Sequence, residues 1–380
     1  MDIQITSACP RRWRGLHSMT LRHWVFWLAA MGNALGCVGC SGAKPAYKYQ
    51  IAVIPKGLTH EFWQSIHRGA EQAAGDLQEH QGITVDVKWD GPLRENDAQA
   101  QISIIDRNIA AGVSGIVLAP QHSEVMVPPV AKATKAGVPV LIIDSGLSAE
   151  GQALMIKYIA TDNYNGGRLA GEKLIRTMRE EGNTAPKVIL FRYQIGSEST
   201  DQREKGFEDY IERVVEQQNR EGQPTITWLS RDRYAGATQD SAQREATPLL
   251  NNLREKGIDG IFAPNESSAS GMLLALRSLG LNKRVHLVGF DSSAPLIDAL
   301  SEGNIDALVL QDPYRMGYLG VWTLVQHLEG KNVSPDGNKT LSTGEYVVTR
   351  ENLHDMKTRE LVDPELQKQR KIEVPSFPPK

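Results

Sequence analysis

Gly112-Val113-Ser114-Gly115-Ile116-Val117-Leu118-Ala119-Pro120-Gln121-His122-Ser123 and, 145 residues further on, Gly257-Ile258-Asp259-Gly260-Ile261-Phe262-Ala263-Pro264-Asn265-Glu266-Ser267 are near copies of one another. Each is followed by an apolar strand ending in an aspartate: Val138-Pro139-Val140-Leu141-Ile142-Ile143-Asp144-Ser145 after the first, Val285-His286-Leu287-Val288-Gly289-Phe290-Asp291-Ser292 after the second. A repeat at this spacing predicts two similar α/β lobes, each placing an acid and a polar loop at the carboxyl ends of parallel strands, where open α/β sheets bind ligands. Two such rims facing each other make a cleft.

Outward from the first copy, strand and helix alternate. Tyr49 to Ile54 is a continuous apolar run of the kind that buried parallel strands show. Phe62 to Leu77 and Ala98 to Ala111 have helical periodicity, and Ile83 to Trp89 alternates as a strand does. Between the copies, strands are expected over Met155–Ala160, Val188–Phe191 and Thr225–Leu229, and helices over Glu204–Gln217 and Ala242–Lys256. After the second copy come a strand at Asn304–Leu310, a helix over Tyr314–Glu329 and a strand at Glu345–Val348. This order predicts the fold class α/β: two Rossmann-like lobes with parallel sheets, joined by a hinge. Gly166, Gly167 and Gly171 open a helix capped by Asp162 or Asn163. They lack the Gly-Lys-Ser/Thr ending of a phosphate loop and indicate close helix packing.

At 380 residues the chain exceeds one ordinary domain, and at about 100–200 residues per domain it holds two. With 41% hydrophobic and 23% charged residues it has the composition of a folded globular protein. A net charge of −3 without a basic patch argues against a nucleic-acid partner. The three cysteines, Cys9, Cys37 and Cys40, all lie in the first forty residues, so the body has no thiol for a disulfide, metal cluster or nucleophile. Arg11, Arg12, Arg14 and Arg22 precede a short apolar run, Trp24 to Met31, which leads to small residues before Cys37 and Cys40. That pattern is an export signal whose ending resembles a bacterial lipoprotein leader, with Cys37 or Cys40 as the lipidated residue and Met19 as an alternative start. A C-x-x-C redox or metal pair is disfavoured, because the two cysteines sit at a signal-peptide end and not at a strand-to-helix turn.

The sequence contains no G-x-S-x-G elbow, H-E-x-x-H or Walker loop, and its nine histidines do not cluster with acids at metal-ligand spacing, so neither an enzyme, a cofactor nor a metal is expected. The loops after the strands instead carry planar amides, carboxylates and aromatic rings. An ionised Asp accepts from sugar hydroxyls, Asn or Gln supplies both a donor and an acceptor, and aromatic side chains such as Phe62 and Trp63 cover the apolar face of a sugar ring. The same residues have plain structural uses: Asp144 and Asp291 as caps, Phe62 or Trp63 as core, His60 as a solvated loop residue.

The segments Ile51 to Lys56, His60-Glu61-Phe62-Trp63 through Gly69-Ala70, Thr161-Asp162-Asn163, Arg203 to Phe207, Phe262 to Asn265, Val288 to Asp291, and Gln311 together resemble the periplasmic sugar-binding proteins of ABC transporters, over about residues 48–350. More narrowly they resemble the ribose-binding cluster of type I solute-binding proteins. The resemblance implies ligand contacts from His60, Phe62, Trp63, Asp144 and Ser145 in one lobe. From the other it implies the loop Ser199-Thr200-Asp201-Gln202, Tyr234, Asn265 and Asp291, with Gln311 near the hinge. Ribose binders carry arginine at the positions of Ser145 and Asp201, so two bidentate hydroxyl clamps are missing. Lys56, Asp144 and the pair Asp201-Gln202, with Trp89 to Pro92, look instead like the autoinducer-2 and rhamnose-type binders. Glu266 stands where autoinducer binders have a small residue.

The expected organisation is a leader over 1–40, a tether over 41–47, an N-terminal lobe of 48–161 and 312–342, a C-terminal lobe of 162–311 and 343–352, and a surface tail over 353–380. The function implied is a lipid-anchored, extracytoplasmic monomer that binds a monosaccharide or sugar-like ligand between its lobes and delivers it to an ABC permease in the membrane. A sugar-sensing module of the same fold, signalling to a membrane kinase or chemoreceptor, is the alternative.

Overall fold

A computed structural model describes residues 47–380; the leader, with Cys37 and Cys40, lies outside the described residues. The first lobe begins β1 (Tyr49–Ile54), α1 (Glu61–Gln81), β2 (Val85–Trp89), α2 (Ala98–Ala110), β3 (Gly115–Leu118), α3 (Val127–Lys135), β4 (Val140–Ile143) and β5 (Tyr158–Ala160). The second runs α4 (Asn163–Glu180), β6 (Lys187–Arg192), α5 (Glu198–Arg220), β7 (Thr227–Tyr234), α6 (Gln239–Leu253), β8 (Gly260–Phe262), α7 (Glu266–Ser278), β9 (His286–Phe290), α8 (Ala294–Ser301) and β10 (Ala307–Leu310). The chain then returns through α9 (Pro313–Leu328) and β11 (Thr340–Ser342), crosses again to β12 (Tyr346–Val348), and ends in α10 (Met356–Val362) and α11 (Pro364–Gln369).

The strands form two sheets ordered β11-β5-β4-β3-β1-β2 and β12-β10-β9-β8-β6-β7. Every pairing is parallel except β12 on β10. The unbroken apolar runs are explained by burial on both faces. In β1, Ile51 and Val53 pack in one cluster while Ala52 and Ile54 pack in the cluster on the other side of the sheet. In β6, Ile189 and Phe191 divide from Val188 and Leu190 in the same way. Helices on both faces exclude water, so alternation of polar and apolar residues is not needed.

Two helix pairs hold the layers in register, and both rest on glycine. In the α1–α9 pair, a Cβ on Gly69 would sit 2.0 Å from the Tyr314 carbonyl oxygen, and one on Gly317 would sit 2.0 Å from that of Ile66. In the α4–α5 pair, a Cβ on Gly167 would sit 1.8 Å from the Arg203 carbonyl oxygen, and one on Gly206 would sit 2.0 Å from that of Tyr164. The glycines opening α4 thus serve backbone-to-backbone packing. The helices that follow two of the lobe crossings are capped alike: Asp162 accepts from Asn165 N at 2.9 Å, and Asp312 from Arg315 N at 3.0 Å.

Residues 353–380 are not a free surface tail. Leu353, Leu361 and Val362 pack on the core of the second lobe, and Ile372 packs on that of the first. Gln367, 2% exposed, accepts from Ser65 Oγ and Arg68 Nη2 on α1, each at 3.1 Å, and donates to the Leu361 carbonyl at 2.7 Å. The Arg370 guanidinium contacts both oxygens of Asp312 at 2.6 Å, and Lys380 N donates to Gly330 O at 2.9 Å. The segment is a strap from one lobe to the other across the start of α9. Its anchors are mostly polar and its apolar residues sparse, so hydrophobic periodicity gives no sign of it.

Gly317→Val drives a side chain into the α1 backbone and is expected to lower stability by about 3 kcal/mol, read as a reduced urea midpoint with unchanged slope. Removing residues 364–380 lowers the melting temperature while leaving the far-ultraviolet circular dichroism per residue nearly unchanged.

Candidate functional site between the sheets

The carboxyl ends of both sheets face one narrow cavity. β1 is followed by Lys56, and His60 stands immediately before α1 with extended backbone, sending Phe62 and Trp63 inward from the helix's first turn. Glu95 comes from the loop after β2 and Asp144 from the end of β4. Across the gap stand Tyr193 after β6; Ser197, Ser199, Thr200 and Arg203 at the start of α5; Asn265 and Glu266 at the start of α7; Asp291 after β9; and Gln311 after β10.

Asp144 and Asp291 occupy equivalent places in the repeat and share an uncommon backbone, with φ of 63° and 66°. This left-handed turn at a non-glycine residue costs about 1–3 kcal/mol where it occurs. Each carboxylate is held in place. Asp144 Oδ2 lies 2.9 Å from Lys56 Nζ, with both side chains 4% exposed. The same ammonium donates across the cleft to Ser199 Oγ at 3.1 Å and Ser197 Oγ at 3.3 Å. Asp291 accepts from Gln311 Nε2 at 2.5 Å and Glu266 N at 3.1 Å, and Arg203 Nη1 lies 3.8 Å away. Burial nevertheless raises the Asp291 carboxyl above its ordinary range, against the pull of Arg203 and Gln311. Arg203 is itself fixed by Asn163 Oδ1 at 2.8 Å, Pro264 O at 2.9 Å and the Phe290 ring, 3.9 Å from its centroid.

Glu95 is the hub of the other half. Its Oε1 accepts from the Trp63 indole at 2.6 Å and pairs with His60 Nδ1 at 2.5 Å, and its Oε2 accepts from the Tyr193 hydroxyl of the second lobe. Burial alone would raise this carboxyl, but His60 and the other donors bring it down to about 2. Burial alone would likewise lower the imidazole, and Glu95 overrides it, raising His60 to about 9. Phe62 and Trp63 meet edge to face at 4.8 Å, leaving a rigid aromatic wall. Three lining residues keep a buried acceptor without a hydrogen bond among the described residues: Asp144 Oδ2, which has the Lys56 ammonium beside it, and Glu266 Oε2 and Gln311 Oε1, which have no cation in contact.

Of the residues singled out from sequence, Lys56, His60, Phe62, Trp63, Asp144, Asn265, Asp291 and Gln311 line this cavity. Asn265 also caps α7, accepting from Ser268 N at 3.1 Å. Four others lie elsewhere. Ser145 is buried behind the wall, where its hydroxyl accepts from Ser199 N of the other lobe at 3.1 Å. The stretch expected as a loop, Ser199 to Gln202, is the first turn of α5, and 3.6 residues per turn puts Ser199, Thr200 and Arg203 on the cavity face while Asp201 and Gln202 point away. Asp201 is exposed. Tyr234 ends the edge strand β7, 39% exposed and off the cavity. Glu95 and Tyr193 were not singled out. Both lie in loops after parallel strands, and that position was the one available signal. Among the described residues one trio with metal-ligand spacing, Asp76, Glu79 and His80, has ligand atoms within 4.8 Å of one another, but it lies on the far half of α1, and Asp76 is engaged by Gln72 and Tyr318.

Comparison with known proteins matches residues 51–332 to the family described as periplasmic binding protein domain. A D-ribose/D-allose-binding protein of Pseudomonas aeruginosa is 24% identical over 81% of this chain and 91% of its own. An ABC transporter solute-binding protein of Agrobacterium vitis, solved with bound D-fucose, is 29% identical with a TM-score of 0.72, covering 82% of this chain and 99% of that one. A carbohydrate transporter solute-binding protein of Agrobacterium radiobacter, solved in complex with D-arabinose, is also 29% identical, with a TM-score of 0.72 and coverage of 84% and 100%.

The Glu95–His60 pair has a pH signature. The Glu95 contribution is complete above its ordinary value of 4.5 and is lost as pH falls toward about 2; that of His60 is complete below 6.5 and is lost as pH rises through about 9. In Glu95→Gln, burial acts on the imidazole with only Glu266 and Asp291 left to oppose it, so nuclear magnetic resonance titration should show His60 deprotonating well below about 9.

Proposed function

The chain belongs to the periplasmic binding protein family, and we propose that it is an extracytoplasmic solute-binding protein that closes its two lobes on a monosaccharide or sugar-like ligand and presents it to an ABC permease. One observation carries this reading: carboxylates, amides and an aromatic wall from both sheets converge on one cavity, where Glu266 and Gln311 retain buried acceptors without donors. Sugar hydroxyls supply such donors in numbers, and a ring lying on Phe62 or Trp63 would bury its apolar face. A ligand touching both rims binds the closed form better than the open one, which is the free energy that drives closure. The bound sugars of the Agrobacterium relatives agree with this chemistry.

The ligand differs from ribose in this reading. Where the ribose pattern has an arginine, Ser145 accepts an amide of α5 and joins the lobes without reaching the cavity. Asp201, at the second arginine position, is exposed on α5. The leader ending at Cys37 and Cys40 supports export and lipid anchoring at the membrane that holds the permease.

Calorimetry over a panel of pentoses, hexoses and deoxysugars should find at least one ligand binding at micromolar concentration or below, and the sugar assignment falls if none gives heat. Asp144→Ala, which leaves the Lys56 ammonium buried without its counter-charge, and Asp291→Ala should each weaken that ligand by about 100-fold or more.

A further inference from the structure

Glu266 is the lining residue least accounted for by the protein itself. Its backbone N–H is used, donating to Asp291 at 3.1 Å, while its side-chain Oε2 is shielded from solvent and has no donor among the described residues. Its place in the fold is also particular. Glu266 and His60 line the inner cavity and, at the same time, a groove of about 560 Å³ running outward past Thr59, Arg94 and Arg244. The two side chains are therefore the partition between the buried site and open space.

We propose that Glu266 is a specificity-determining contact that reads one ligand hydroxyl at this partition and rejects ligands in which that hydroxyl is missing or capped. This rests on the sugar-binding reading and extends it. A buried acceptor facing a ligand atom that cannot donate is left unpaired, which discriminates more strongly than apolar contact does. A methyl or glycosyl substituent on the same oxygen would have to displace the carboxyl to enter the groove. The charged groups around Glu266 are His60 before α1, Glu61 on α1, Glu95 from the loop after β2 and Asp291 after β9, with Arg94, Asp240 and Arg244 lining the groove beyond it. Burial raises the Glu266 carboxyl to about 8, with His60 opposing and Glu61, Glu95 and Asp291 reinforcing the rise. At neutral pH it is thus mainly undissociated and offers one donor as well as an acceptor, as an amide does.

The test uses whichever sugar the wild-type protein binds, together with its monodeoxy and mono-O-methyl derivatives at each carbon, measured by calorimetry on wild type, Glu266→Ala and Glu266→Gln. One position should stand out in the wild type, with deoxy and O-methyl forms about 10- to 100-fold weaker than the parent. Glu266→Ala should weaken the parent and erase most of the discrimination at that position alone, admitting the O-methyl form. Glu266→Gln, which keeps a donor and an acceptor but cannot ionise, should bind the parent sugar nearly as the wild type does and keep the discrimination at that position. Unchanged discrimination in Glu266→Ala overturns the proposal while leaving the sugar-binding reading intact. If no sugar binds the wild type, both fall together.

Discussion

An ionised carboxylate is expensive to hold in a gap with little water, and both sheets of this protein end one in such a gap at the same point of an internal repeat. Asp144 and Asp291 each leave their strand through a left-handed turn that brings the carboxylate to the cleft. The two are compensated differently. Asp144 has a cation of its own lobe, Lys56, whose remaining protons reach serines of the other lobe. Asp291 is held by an amide, a backbone N–H and a guanidinium that is itself pinned on three sides. The positions of α5 and α7 follow from these demands, because their first turns supply the partners.

The same contacts bear on the balance between open and closed forms. Lys56 to Ser199, Glu95 to Tyr193, Ser145 to Ser199 and Gly146 N to Glu198 Oε2 at 2.8 Å all join one lobe directly to the other. A ligand shifts a two-state equilibrium only by its differential affinity for the two states. Each cross-cleft hydrogen bond therefore reduces the differential that the ligand must provide. Ser145 shows the trade plainly: a position that resembles a ligand clamp in related sequences is used here to dock the lobes.

The architecture was legible because burial on both faces leaves an unmistakable trace: unbroken apolar runs, repeated with the same aspartate at the end. The eight expected residues that line the cavity follow from strand ends and from resemblance. The departures have physical causes. A helix's first turn is polar where it meets a cleft, so α5 reads as a loop until Glu204 although it begins at Glu198. β7 is an edge strand with mostly part-buried or exposed residues, which hides its extension to Tyr234. Glu95 and Tyr193 carry no motif, because their role depends on meeting each other from strands about a hundred residues apart, and pairing at that range leaves no local pattern. The strap across the hinge is invisible for the same reason, since Gln367, Thr358 and Arg370 are anchors only in the presence of their partners.

The strap has a further consequence at its far end. Lys48 and Tyr49 attach to Glu329, while Pro378 and Lys380 attach to Asn332 and Gly330, so the first described strand and the last residues meet at the tail of α9. That helix starts at the cleft and runs sixteen residues, about 24 Å, away from it. A fluorophore, affinity tag or solid support attached at either place would leave the cleft mouth facing solution. The two places are also close enough for a short peptide to join them, which makes the domain a natural candidate for circular permutation into a sensor whose new ends open in a surface loop.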